Sequence, residues 1–206
     1  MIKNKIIIGF VFESSPKFGG NFQTEISTAL RLKNLSLDKV EIKFFSTNKD
    51  NLQVLKKYNL EIKYYTKKNF NLNILKFYEF LTSKFTKKIF NFIFNFNGFE
   101  KFLLANSIDL VYFNSMSPTA LVLKKIDFIT SYWDMAHLEY PLFPECKENY
   151  HSISAREYIY KNLADNSLYV LTDSKEGMKN FSSRYNVNEK KLRIIYSEPS
   201  NQILKK

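Results

Sequence analysis

From its fifth residue the chain runs Lys5-Ile6-Ile7-Ile8-Gly9-Phe10-Val11-Phe12, an almost unbroken apolar and β-branched stretch. That is the pattern of a strand buried on both faces, which places it at the centre of a sheet. A Ser14-Ser15-Pro16 turn and Gly19-Gly20 follow, and then residues 21–34 set Phe22, Ile26, Ala29, Leu30 and Lys33 at helical spacing, with Asn34 as the stop. The alternation continues. Strands are predicted over Val40–Thr47, Glu61–Thr66, Leu110–Asn114, Phe128–Trp133, Leu168–Thr172 and Leu192–Tyr196. Helices are predicted over Asn51–Tyr58, a long stretch after Thr66, Thr119–Lys125, 152–164 and 175–185. Strands alternating with helices imply right-handed βαβ crossovers, hence an α/β fold: a Rossmann-like, doubly wound parallel sheet with helices on both faces. No internal repeat or linker interrupts the 206 residues, so a single domain over 1–206 is expected.

Such sheets bind their ligands outside the carboxyl ends of the strands, where strand order reverses. The loops to watch are therefore 13–20, 114–118, 134–150 and 173–176.

Composition narrows the classes. One cysteine, Cys146, forms no internal disulfide and supplies no paired-cysteine zinc framework, which fits a reducing compartment. No apolar run is long enough to span a bilayer, and the N-terminal run is short and strand-like rather than a signal peptide, so a cytoplasmic location is expected. The net charge is +11, but 27 of the 31 basic residues are lysines in a chain rich in Asn, Ile, Phe and Tyr, the bias of AT-rich coding. The excess is also local: residues 1–105 hold 18 basic and 8 acidic side chains, residues 106–206 hold 13 and 12. With four arginines and no helix-turn-helix, zinc-finger or RNP pattern, nucleic acid is not the expected partner.

Two segments carry candidate chemistry. Gly19-Gly20 opens a helix, where free backbone N–H groups hold anions, although the loop is neither GxGxxG nor a P-loop and no acidic ribose ligand follows; a tight turn or close packing explains the pair equally well. Ser131–Glu145 ends a strand in Asp134, His137 and Glu139 within a loop stiffened by Pro141 and Pro144. Titratable groups so gathered suit binding or deprotonation of a hydroxyl, and equally a strand-end cap and a structural hydrogen bond. A metal site from His137 with Glu139 or His151 lacks ligand-like spacing, so no metal is expected. Cys146 has no nucleophile motif around it.

Taken in order, Gly19, Gly20 and Gln23; Trp133-Asp134-Met135-Ala136-His137 with Pro141 and Glu145; Leu163-Ala164-Asp165; Leu171-Thr172-Asp173-Ser174-Lys175-Glu176; Tyr185-Asn186-Val187; and Lys191-Leu192-Arg193-Ile194-Ile195 resemble the N-terminal domain of GT-B glycosyltransferases. The nearer likeness is to the retaining, family-four group, and the last third of the chain is its most specific part. The resemblance implies the acceptor-binding half of an enzyme that moves a sugar from a nucleotide-sugar donor to a glycan or lipid-linked acceptor, in cell-surface polysaccharide synthesis. It implies Asp134 and His137 as catalytic residues facing the acceptor, Gly19 and Gly20 against the donor phosphates and sugar, and Ser174 lining the interdomain crevice on the donor side. The nucleotide sugar is a co-substrate, and no separate cofactor is implied. Trp133 stands where that group commonly has His. The group's second Rossmann domain, with its nucleotide-binding glutamate pair, has no counterpart in 1–206, so a separate donor domain is an expected partner and no transfer is expected from these residues alone. A non-catalytic Rossmann-like binding module, or a truncated remnant, is the other reading.

Phe85, Ile89, Phe92, Ile93, Phe96, Phe99 and Leu103 fall near one helical face, with Lys84, Lys87, Lys88 and Lys101 mostly elsewhere. A helix over 84–104 of this kind lies either on an anionic membrane, which would place the protein peripherally on the inner face of the cell membrane, or against the core with a solvated lysine face.

Overall fold

A computed structural model describes residues 5–17, 19–35, 38–66, 98–139, 142 and 153–196. Among these residues seven strands form one all-parallel sheet: β1 (Ile6–Phe12), β2 (Val40–Ser46), β3 (Ile62–Tyr64), β4 (Leu110–Phe113), β5 (Asp127–Tyr132), β6 (Tyr169–Thr172) and β7 (Leu192–Ile194), in the order β3-β2-β1-β4-β5-β6-β7. The expected α/β, Rossmann-like architecture is what the chain adopts. β1 is central, pairing with β2 from Ile6↔Val40 to Phe12↔Ser46 and with β4 from Ile8↔Leu110 to Val11↔Phe113.

Helices cover both faces because the strands are apolar on both. On one face α1 (Gly19–Asn34) and α2 (Asn51–Lys56) bury Phe22, Ile26, Ala29 and Leu55 against Phe10, Phe12 and Phe44. On the other, α3 (Gly98–Ala105) and α5 (Ile153–Asn166) bury Phe99, Leu103, Ile159 and Leu163 against Val11, Phe45, Val111, Phe113 and Phe128. α6 (Lys175–Tyr185) sets Phe181 against Tyr132, ring centroids 4.6 Å apart. Short α4 (Ala136–Glu139) follows β5. Gly9 lets the layers close: a Cβ there would lie 3.2 Å from both Ile108 and Phe45.

Several boundaries differ from the sequence expectation. The segment predicted as a helix over 119–125 is a 3-10 turn, Pro118–Val122, because Ser117 caps it through Thr119 N–H and Leu123 returns to extended backbone. α1 starts at Gly19, ahead of the predicted residue 21, and Lys33 is exposed rather than facing the core. Of the amphipathic stretch 84–104, residues 84–97 lie outside the described residues. Its described end, α3, has Phe99 and Leu103 in the core and Lys101 exposed. Among the described residues no helix is long and apolar enough to cross a membrane.

Candidate functional site

The strand order reverses between β1 and β4: from β1 the chain winds through β2 and β3 to one side, and from β4 through β5, β6 and β7 to the other. Their carboxyl ends therefore open a crevice, with the β1–α1 loop on one side and Asn114–Ser117 on the other.

Asn114, only 3% exposed, is its hub. Thr28 of α1 donates its hydroxyl to Asn114 Oδ1 at 3.0 Å, and Asn114 Nδ2 donates to Thr24 Oγ1 at 3.1 Å. The Trp133 indole N–H donates to the Asn114 carbonyl at 2.7 Å. Tyr112 reaches Ser131 Oγ at 3.0 Å, and burial pushes its phenol above the ordinary value. α1, β4 and β5 are thus tied together by side chains at the mouth of the crevice.

The β1–α1 loop is held by a carboxyl group. Glu25, 2% exposed on α1, accepts the backbone N–H of Glu13 at 3.2 Å and, from Ser14, the N–H at 3.2 Å and the hydroxyl at 3.0 Å, all on Oε1. Burial raises its pKa to about 8 against the lowering pull of those donors, with a small further rise from the Glu13 charge. Glu13 in turn accepts the hydroxyl of Thr119, across the crevice. Two carboxyl groups therefore stand together at the reversal point, one buried and one half-buried.

The residues singled out in the sequence fall as follows. Gly19 and Gly20 begin α1, whose first turn carries no acidic residue. At Gly20 a Cβ would meet nothing within 4 Å, and no described glycine has positive φ. Neither turn geometry nor close packing requires a glycine at position 20. Asp134 is exposed, two residues past β5, and its charge, with those of Glu139 and Asp173, adds to the burial that raises the Tyr132 phenol. It also adds to the rise of Tyr160, pushed up to about 12 mainly by burial. The structure thus groups Asp134, Glu139 and Asp173 on the β5–β6 side of the crevice. His137 lies in α4, one turn after Asp134. Ser174 is the N-cap of α6: its hydroxyl accepts Gly177 N–H at 3.0 Å and donates to Asp173 Oδ1 at 3.0 Å. Pro141, Glu145, Cys146 and His151 lie outside the described residues. Among the described residues no three His, Cys, Asp or Glu side chains gather as a metal site.

Glu13, Glu25 and Asn114 were not singled out in the sequence. A signal for Glu25 existed: with Phe22, Ile26 and Ala29 it occupies the i, i+3, i+4, i+7 face that α1 buries, where a carboxyl group has to be held by donors.

A groove of about 340 Å³ lies at the opposite, amino edge of the sheet, among Lys33, Ile42, Lys43, Leu60 and Lys63. Its lysines bond Asn59 and Asn106 rather than facing a free cavity.

No family model matches the chain, and no curated protein matches it. Solved structures do match, at low identity. HepE of Anabaena in complex with UDP and glucose aligns with 93% of this chain and 44% of its own, at TM-score 0.57 and 13% identity. UDP-GlcNAc 2-epimerase from Methanocaldococcus jannaschii aligns over 92% and 45%, at 0.55 and 14%. UDP-GlcNAc 2-epimerase from Neisseria meningitidis bound to UDP-GlcNAc aligns over 92% and 45%, at 0.53 and 12%. The chain spans slightly under half the length of each. Its fold is the Rossmann-like layer of a GT-B architecture, in keeping with an N-terminal half.

Proposed function

We propose that this chain is the acceptor-side half of a glycosyltransferase, moving a sugar from a nucleotide-sugar donor to a glycan or lipid-linked acceptor in cell-surface polysaccharide synthesis. The observation that carries the reading is the strand-order reversal between β1 and β4, the position at which sheets of this kind bind ligands, with the Gly19-Gly20 start of α1 beside it. The start of a helix at such a reversal suits a diphosphate. The same layer occurs in HepE in complex with UDP and glucose.

In this reading the backbone of Gly19 and Gly20 faces the donor phosphates and Ser174 borders the donor side. Asp134 and His137 orient or deprotonate the acceptor hydroxyl. Transfer needs both substrates held between two lobes, because the reaction is accelerated by positioning and by stabilising the departing diphosphate. A donor-binding domain, on the same or a separate chain, is therefore the required partner. The protein works in the cytoplasm, peripherally on the anionic inner face of the membrane; with Phe99 and Leu103 of the 84–104 stretch packed in the core, the anchoring residues are those ahead of Gly98, Phe92, Ile93 and Phe96 among them.

The test is nucleotide release from a panel of nucleotide sugars and acceptors, with and without a candidate second half. Acceptor-dependent release in the joint sample supports the proposal. Conversion of UDP-GlcNAc to its 2-epimer without acceptor would reassign the crevice to epimerisation, the activity in the names of two similar structures. Neither product in either sample would leave a non-catalytic binding module.

A further inference from the structure

Glu25 belongs to no part of the proposed chemistry, yet it is a buried acid at the mouth of the crevice. Its two oxygens are used unequally. Oε1 collects three donors, from Glu13 N–H, Ser14 N–H and Ser14 Oγ, at 3.0 to 3.2 Å, whereas Oε2 receives only a 3.3 Å share of Ser14 N–H. Those donors favour the ionised form, and burial, the larger effect, favours the neutral one. Among the described residues the charged group facing it is Glu13, whose carboxylate opposes a second negative charge and is itself bonded to Thr119 of the 3-10 turn after β4.

We infer that Glu25 is a positioning residue for the crevice: its carboxyl group clamps the backbone of Glu13 and Ser14, and through Glu13 and Thr119 it fixes the spacing of the two loops at the strand-order reversal. The clamp is geometric, since one acid beneath the loop accepts from two consecutive N–H groups. It is also proton-gated. Once ionised, Glu25 adds a charge with little solvent beside the Glu13 carboxylate, and the loop opens to hydrate it; burial sets this transition near pH 8. The clamp stands without the glycosyltransferase reading; its effect on ligand binding rests on that reading.

The experiment uses the 206-residue chain and follows amide protection of Glu13 and Ser14 by NMR from pH 6 to 9.5, corrected for intrinsic exchange. Wild type is expected to lose protection steadily as pH rises from 6, by about tenfold per pH unit at most, and to level off above about 8, where closed and open loops are both ionised. Glu25→Gln keeps a carbonyl oxygen for the three donors and carries no titrating proton, so its protection is expected to stay high and flat. Glu25→Ala is expected to be unprotected throughout. Should it not fold, Ser14→Ala supplies the comparison, with about threefold lower protection at Ser14 and the levelling-off moved to higher pH, because the hydroxyl bond it removes favours the ionised acid. Wild-type protection independent of pH, or Glu25→Gln as open as Glu25→Ala, would overturn the clamp. UDP-glucose binding by the same samples separates the two claims. A pH-dependent clamp with no UDP-glucose binding refutes the sugar-nucleotide reading alone. Binding with a pH-independent loop refutes the clamp alone.

Discussion

The indole N–H of Trp133 hangs from the backbone carbonyl of Asn114 at 2.7 Å, so the residue that leaves β5 is fixed to the end of β4. Trp133→Phe keeps the ring and removes the donor. It is expected to lower unfolding free energy by about 1 kcal/mol, read from urea denaturation. Asp134, the next residue, is exposed, so Asp134→Asn should leave stability within about 0.5 kcal/mol. If Asp134 and His137 serve the acceptor, Asp134→Asn and His137→Gln each lower nucleotide release about 100-fold in the joint assay; unchanged release would remove them from the chemistry.

The acid beneath the first loop makes folding stability depend on pH with a definite sign. Its pKa is raised from 4.5 to about 8 in the native state, so below pH 4.5 both states are protonated and its stabilising contribution is complete. Between 4.5 and 8 the folded chain binds more protons than the unfolded one, and stability falls as pH rises, by a few kcal/mol in all. Above pH 8 both states are ionised and the loss is complete. Glu25→Gln should flatten that slope and be the more stable protein at pH 8, measured by denaturation across the range.

Two glycines provide a contrast. Gly20→Ala adds a methyl to open space in a helical first turn, and a gain of about 0.5 kcal/mol is expected. If the α1 N-terminus holds a diphosphate, the same variant loses UDP-sugar affinity, seen by calorimetry. Gly177→Ala sets its methyl 3.1 Å from Ser174 Oγ and 3.2 Å from Asp173 Oδ1, against the α6 cap. Its cost, like that of Ser174→Ala, is expected at about 1 kcal/mol by thermal melts.

The stretch 84–104 separates core from membrane by experiment. Leu103 is fully buried, so Leu103→Ala should cost about 2 to 5 kcal/mol. Replacing Phe92, Ile93 and Phe96 together by Ser should abolish flotation with anionic liposomes; flotation that survives would dismiss this stretch as the anchor.

The sheet was legible because its strands are written as continuous apolar runs such as Ile6–Phe12, with helix-spaced Phe22, Ile26 and Ala29 between them. Local pattern alone fixed neither the short 3-10 turn at Pro118, which one serine cap and a proline decide, nor the boundaries of α1. The crevice was legible as a set of loops, through the rule that ligands bind at carboxyl ends. Its hub was not, since Asn114 gains meaning only from Thr24 and Thr28, 90 and 86 residues earlier in the chain. Sequence spacing points to neighbours on one element, and this site is assembled across three.

The central strand also carries a kinetic consequence. β1 meets β2 after one short helical excursion, but Ile7 donates its N–H to Asp109, 102 residues further on, and β4 pairs alongside. A chain emerging from the ribosome can therefore build the β1–α1–β2 unit early, while the opposite rim of β1 waits for β4 to be synthesised and to close a very long loop. Until then that rim is an adhesive strand edge. Refolding from denaturant should accordingly be slow, and N-terminal fragments ending before Leu110 should self-associate.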